Sequence, residues 1–289
     1  MRNEVTRLPF FLDHHRALGV DHFYIVDNNS NDGTHDFLNA QKDVSLFFTD
    51  QSYKSSRFGM DWLTLLHLRY ARGRWALTLD ADECLVLPGG SNSNLKSLTT
   101  YLRAQKIPSF GALMLDLYPQ SALGTVAYKP GQAFWDVASQ FDPSGYIWEF
   151  QRRYGNISIK GGPRARVFFA NEPSYAPHLH KIPLVDWRRS YAYVSSTHVA
   201  LPRNLNTAFD ARLNRPTGAL LHAKFLPEVV NKSREEKLRQ EHFTHPERYE
   251  LYYDRITDAL DLSDASSVTY EGTDQLEALG LIQRGSWTG

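Results

Sequence analysis

Between Pro9 and Gly19 the positions Phe11, Leu12, His15 and Leu18 recur at helical spacing, so the pattern predicts a helix opened by the proline and stopped by the glycine. His22 to Val26 reads as a short strand running to Asp27. The polar run Asn28-Asn29-Ser30-Asn31-Asp32-Gly33-Thr34 reads as a loop, because these residues favour turns and caps over element interiors. A helix through Phe37 and Leu38 follows, then a strand from Val44 to Phe48 and a helix from Met60 to Ala71 with Leu63, Leu66 and Tyr70 turned inward. A third strand, Trp75 to Leu79, enters Asp80 directly. This alternation predicts an α/β fold with a largely parallel sheet covered by helices on both faces. Ligands of such sheets bind beyond the carboxyl ends of the strands, where Asp27 and Asp80 are expected.

After Pro88 the texture changes. Gly89 to Ser93 is a turn, Leu95 to Gln105 a helix and Phe110 to Leu115 another strand. From Tyr118 to Arg164 the chain is rich in aromatic residues, Pro and Gly without a period, as expected of long loops that shape a pocket. Helices from Pro227 to Glu241 and from Pro246 to Leu260 precede a polar tail. The expected organisation is therefore a catalytic domain over residues 1–225 and a C-terminal helical extension over 226–289.

A chain of 289 residues with 42% hydrophobic content can bury one large core. Lys+Arg and Asp+Glu are equal at 32 each, so no global field gathers nucleic acid or an anionic membrane, and an anionic ligand must meet local positive charge. The single cysteine, Cys84, excludes an internal disulfide and a cysteine metal cluster, which fits a reducing compartment. No apolar run approaches the roughly 20 residues that span a bilayer, and Met1-Arg2-Asn3-Glu4 lacks the apolar stretch of a signal peptide. The expected location is the cytoplasm, free or peripheral at the inner face of the membrane.

The segment richest in chemistry is Leu77-Thr78-Leu79-Asp80-Ala81-Asp82-Glu83. A strand ending in carboxylates two apart sets acidic oxygens at the mouth of the sheet. There Mg²⁺ or Mn²⁺ can be held by one or two of them together with substrate phosphates. A strand end capped by solvated acids is the plain alternative. Asp27, Asn28 and Asn29 offer acceptors and amide donors suited to a base or ribose, and an ordinary Asx-turn would explain the local backbone equally.

The order Arg2-Asn3-Glu4, Leu18-Gly19-Val20-Asp21-His22-Phe23, Val26-Asp27-Asn28-Asn29-Ser30-Asn31-Asp32-Gly33-Thr34 and Leu79-Asp80-Ala81-Asp82-Glu83 resembles family 2 glycosyltransferases of the GT-A fold. It is most similar to the bacterial branch with a DNxSxDGT loop and a DADE metal motif. The likeness runs from Met1 to about Leu87, and His180-Lys181-Ile182-Pro183, Ser196-Thr197-His198 and Leu221-His222-Ala223-Lys224-Phe225 extend it more loosely. The resemblance implies a Rossmann-like sheet and a nucleotide-diphosphate sugar donor, with a UDP-sugar expected. It further implies a divalent metal and inverting transfer to a hydroxyl of a glycan or glycolipid acceptor in polysaccharide or glycoconjugate synthesis. By position it implies that Asn3, Glu4, Asp27, Asn29, Arg57, Asp61 and Asp80 line the nucleotide, with Asp27 on the base and Asp80 near the ribose. Asp80 and Asp82 would hold the metal, and His198 would complete its shell, with His222 a second histidine candidate. In that family a strand precedes the Arg-Asn-Glu segment and lies centrally in the sheet. Here the sequence opens at Met1, so another segment is expected in that slot unless the chain begins further upstream.

Inverting transfer needs a base for the acceptor hydroxyl. The candidates are Glu149, Asp142, Asp186 and Glu172, with Glu149 favoured, and no local spacing decides among them. Arg164 and Arg166 are expected on one face of a strand after the Gly161-Gly162 turn, where both could reach a phosphate pair or simply be solvated. Trp135, Trp148 and Tyr146 could stack on a sugar or pack. Leu79-Asp80-Ala81-Asp82 also resembles the aspartyl nucleophile motif of haloacid-dehalogenase-type phosphatases, although Cys84 stands where that motif carries Thr or Val. A non-catalytic carbohydrate-binding relic of the GT-A fold is the reading from outside enzymology.

Overall fold

The structure is a computed structural model and describes residues 1–239 and 252–289. Helix α1 (Leu8–Leu18) buries Leu8, Phe11, Leu12 and His15 along one face, and Gly19 ends it in the left-handed conformation at φ 105°, donating to the carbonyls of Arg16 and His15. Strand β1 (Phe23–Asp27) leads through the polar loop to α2 (Thr34–Asn39) and β2 (Val44–Phe48), which pairs with β1 in parallel. Helix α3 (Met60–Leu66) continues as a π-helical turn over His67–Ala71. Strands β3 (Trp75–Leu77) and β4 (Glu83–Val86) flank the Asp80–Asp82 turn, and α4 (Leu95–Ala104) follows with Asn94 accepting from the Ser97 amide as its N-cap.

The principal sheet has five strands in the order β3, β9 (His180–Asp186), β5 (Ser109–Asp116), β12 (Thr217–His222), β4. It is mixed, and the largely parallel sheet expected from the first half is not what forms. Strand β12 pairs with β5 in parallel, whereas the β3–β9, β5–β9 and β12–β4 pairings are antiparallel. The reason lies in the long excursion after Asp116. It leaves and re-enters at the same end of the sheet, so β9 must run back against β5. Pro183 sits inside β9 where the β5 pairing shifts register between Phe110 and Ala112, an irregularity that spares the missing N–H a ladder bond.

Strands β1 and β2 form a two-stranded sheet separate from the five-stranded one. The excursion holds β6 (Gln140–Phe141) and a hairpin of β7 (Ile147–Gln151) and β8 (Asn156–Lys160). Residues 164–168 form a π-helical turn, so Arg164 and Arg166 do not share the strand face expected for them. A further hairpin, β10 (Ala192–Ser195) with β11 (Val199–Leu201), precedes β12. Helix α5 (Val229–Arg239) matches the first C-terminal helix expected; of the second, expected over 246–260, residues 246–251 lie outside the described residues, and among the rest only 252–254 are helical. The chain end is woven into the body. Strand β13 (Val268–Thr269) pairs with β6, and after α6 (Thr273–Ala278) the side chains of Leu281, Ile282 and Trp287 join the core that also holds Leu12, Leu98 and Leu115. No helix among the described residues is long and apolar enough to cross a membrane.

Candidate functional site

The strand ends supply a cluster of charge. Asp80 follows β3, Glu83 opens β4, Asp116 closes β5, Lys181 is the second residue of β9 and His222 closes β12. Because β9 and β4 run against their neighbours, their first residues share the end at which β5 and β12 finish. Register sets His222 beside Asp116 on one side and Glu83 on the other.

Lys181 is buried between two acids. Its Nζ lies 3.0 Å from Asp80 Oδ2 and also binds Glu83 Oε1, while Glu83 Oε2 accepts from the Asp80 amide at 3.2 Å. The Lys181 charge holds the Asp80 carboxyl below its ordinary pKa. Burial pushes Glu83 the other way, so this acid carries the higher proton affinity of the two. Asp80 is 66% exposed and faces open space, whereas Glu83 is 1% exposed and serves the fold.

A second relay runs Asp82, His222, Asp116, Arg164. His222 Nε2 lies 3.3 Å from Asp82 Oδ2, its Nδ1 lies 2.6 Å from Asp116 Oδ1, and Arg164 Nε donates to Asp116 Oδ2 at 2.7 Å. Burial works to raise the Asp82 pKa, but the charges of His222, Arg7 and Lys224 outweigh it and hold the carboxyl well below the usual range. For His222 burial disfavours the cation, and the two flanking carboxylates overcome that and raise its pKa. Both ring nitrogens are thus committed, and the metal-ligand role expected as an option for His222 is corrected to that of a clamp on Asp82.

Cations gather on the side of α1 and α5. Arg7 is buried, donates to Glu4 Oε2 at 3.1 Å and to the Ala223 carbonyl at 3.3 Å, and keeps a buried Nε without a partner among the described residues. Lys232 reaches Glu4 Oε1 at 2.5 Å. Lys224 makes no ion pair with a described residue, and burial lowers its pKa. Arg7, Lys224, Lys232, Asp80, Asp82 and His198 line one cavity of about 1320 Å³. His198 Nδ1 sits 2.6 Å from the His180 carbonyl and so donates to it, which leaves the lone pair on Nε2. Burial first, and the Lys181 charge second, keep this imidazole neutral well below its ordinary pKa.

Other expected site residues lie elsewhere. Asn3 and Glu4 line the cavity, as does Asn28. Asp27 does not. It is fully buried and binds its own loop, accepting from the Ser30 amide at 3.1 Å and hydroxyl at 2.5 Å and lying 3.1 Å from His35 Nδ1. Asn29 is exposed at φ 57°, its carbonyl taken by Arg2 at 2.7 Å. Arg57 and Asp61 pair with each other on the surface and are not among the residues that line the cavity, although their neighbours Phe58, Gly59 and Trp62 are.

None of the four base candidates lines the cavity. Asp142 is clamped by Arg166 at 2.9 and 3.0 Å and by the Tyr118 hydroxyl at 2.5 Å. Asp186 pairs in register with Trp75, at the opposite end of β3 from Asp80, and binds Arg103 and Arg188. Glu149 is exposed on the β7–β8 hairpin, and Glu172 is exposed in the following turn. Trp135 packs edge-on against Phe10, Tyr146 donates to the Asp142 carbonyl at 2.7 Å, and Trp148 stands half-exposed beside Phe209.

Lys181, Asp116, Arg7 and Lys224 were not singled out from sequence. The signal was the resemblance in His180-Lys181 and Leu221-His222-Ala223-Lys224, which gave positions without roles. Among the described residues no three His, Cys, Asp or Glu side chains converge as a closed metal shell. The donor chemistry fits a hard cation nonetheless. Asp80 and Asp82 are held ionised, and such a cation takes one or two carboxylates and completes its shell with phosphate and water. Compared with models of protein families, with curated proteins and with solved structures, the chain finds no match.

Proposed function

We propose that the chain is a glycosyltransferase that moves a sugar, with inversion, from a nucleoside-diphosphate donor, UDP-linked by expectation, to a hydroxyl of a glycan or glycolipid. The observation that carries this reading is the pairing in one cavity of two ionised carboxylates, Asp80 and Asp82, with the cations Arg7, Lys224 and Lys232. Neither set alone suits a sugar diphosphate, since carboxylates repel it and cations alone would bind any anion. Together they suit a diphosphate that brings a divalent cation with it.

Mn²⁺ or Mg²⁺ at Asp80 and Asp82, with His198 Nε2 as a further ligand, would neutralise charge on the departing diphosphate. The chain's own part is positional. His222 holds Asp82 in place and ionised, Lys181 orients Asp80, and Arg7 and Lys224 offer N–H donors toward phosphate oxygens. The test is a panel of nucleotide sugars assayed for donor hydrolysis and transfer with and without Mn²⁺. The expected result is metal-dependent release of a nucleoside diphosphate. Release of inorganic phosphate from phosphomonoesters would favour the phosphatase reading instead, and glycan binding without turnover the relic.

A further inference from the structure

Strand β7 is open to solvent along most of its length. Its partner β8 is seated by Asn156, Ser158 and Ile159, all buried, whereas β7 leaves Ile147 63%, Trp148 45% and Phe150 57% exposed. One strand of an antiparallel pair ordinarily turns one face to the core and the other to water. In β7 neither face is covered, since alternation sets Ile147 on one side and Trp148 and Phe150 on the other. Large apolar side chains gathered at a surface in this way mark a place where something docks.

The rim of this patch is basic. Arg152 and Arg153 follow at the turn, both exposed, with Arg153 lying 5.1 Å from the centre of the Tyr154 ring. Arg203, also exposed, donates to the Arg152 carbonyl and so brings a third guanidinium to the same turn. None of the three has an acidic partner among the described residues, and Glu149 at the centre of β7 is the hairpin's one acid. A chain whose charges balance overall thus carries a local positive field beside exposed aromatic rings. The hairpin also adjoins the candidate site. The Ser158 hydroxyl lies 2.9 Å from His178 Nδ1, and His178 lines the cavity that holds Asp80 and Asp82.

We propose that the β7–β8 hairpin docks this chain on an anionic lipid bilayer, with Ile147, Trp148 and Phe150 in the headgroup layer and Arg152, Arg153 and Arg203 on lipid phosphates. Exposure on both faces favours a bilayer over a folded partner, because a protein groove would cover one face of the strand while the interfacial layer surrounds both. The amphipathic ring of tryptophan suits that layer, and the planar fork of arginine suits phosphate. A second copy of this chain fits less well, since β7 paired antiparallel with itself about its centre would set Glu149 opposite Glu149. A soluble acidic polymer would meet the arginines and leave the apolar side chains in water. Docking stands apart from the sugar-transfer reading, and only where that reading also holds does it bring the cavity to lipid-linked acceptors.

The test is cosedimentation of the full chain with phosphatidylglycerol vesicles and with phosphatidylcholine vesicles, which needs no turnover. We expect the anionic vesicles to bind about tenfold or more tighter than the zwitterionic ones, and the difference to shrink as salt is raised. Trp148→Ser with Phe150→Ser, and separately Arg152→Glu with Arg153→Glu, should each weaken binding about tenfold or more while circular dichroism and UDP affinity stay as in the wild-type chain. Leu65→Ser with Leu68→Ser, at exposed leucines far along the chain from the hairpin, should bind vesicles as the wild type does. Vesicle binding by a chain with no affinity for UDP would still support docking and would count against the sugar-transfer reading alone. No binding to either vesicle, undiminished binding by the hairpin variants or an equal loss in the leucine control would overturn the docking surface. So would a dimer in solution that Trp148→Ser with Phe150→Ser dissolves, which would assign the patch to a second copy.

Discussion

His222 Nε2 lies 3.3 Å from the Asp82 carboxylate, so the acid expected to face the cation is itself held from behind by a buried imidazole. The same ring is held through Nδ1 by Asp116. Removing one member of such a buried set strands the others, which costs about 3–5 kcal/mol. His222→Ala should lose stability of that order in a urea titration, and adding Asp116→Asn should restore part of it. Equal midpoints for wild type and His222→Ala would show that the relay contributes nothing to the fold.

Lys181→Met should also be costly, by about 3–5 kcal/mol, because it leaves Glu83 buried without its ammonium. Combining it with Glu83→Gln removes the stranded charge. The double variant is expected to be more stable than Lys181→Met alone, and a double-mutant cycle that comes out additive would contradict the pairing.

Acid should destabilise the protein through histidines that are buried neutral. His67 stacks on Trp187 at 4.0 Å and burial lowers its pKa to about 4, while burial lowers His15 to about 3. The unfolded chain binds protons on these rings near pH 6.5 and the folded chain does not, so stability is full above about 6.5 and falls as pH drops toward the folded values. His67→Phe should flatten the decline of Tm between about pH 6.5 and 4. A slope identical to wild type would mean that His67 is already charged, or solvated, in the native state.

Trp287 is 3% exposed and packs in the main core, so the chain end supports the sheet. Trp287→Ala should cost about 3–5 kcal/mol in denaturant unfolding. A loss below about 1 kcal/mol would instead mark the chain end as a dispensable extension.

What could be read from sequence was local. The α1 pattern ended at Gly19 as its left-handed cap requires, and Val44–Phe48 formed the strand its β-rich run implies. Strands β9 and β12 were not recognised as strands, because both are buried at every position and so show no alternation, and β9 carries a proline that argues against a central place. The carboxylates at the end of β3 were legible as a strand-end cluster. Their partners were not, since Lys181 stands 101 residues from Asp80 and the Asp116–His222 contact spans 106. Long-range charge pairing leaves no periodic trace. That none of the base candidates lines the cavity was not legible for a related reason. An acid in a loop looks the same in sequence whether it faces a cavity or, like Asp142, an arginine.

Titration of UDP into the full chain with and without Mn²⁺, repeated on Asp82→Asn, tests the central claim most directly. The account predicts that Mn²⁺ tightens UDP binding to the wild-type chain at least tenfold and that Asp82→Asn abolishes this gain while the variant remains folded by circular dichroism at the temperature of the titration. UDP affinity indifferent to Mn²⁺ in the wild-type chain, or an undiminished Mn²⁺ gain in Asp82→Asn, would contradict a metal-assisted nucleotide-sugar site at these carboxylates.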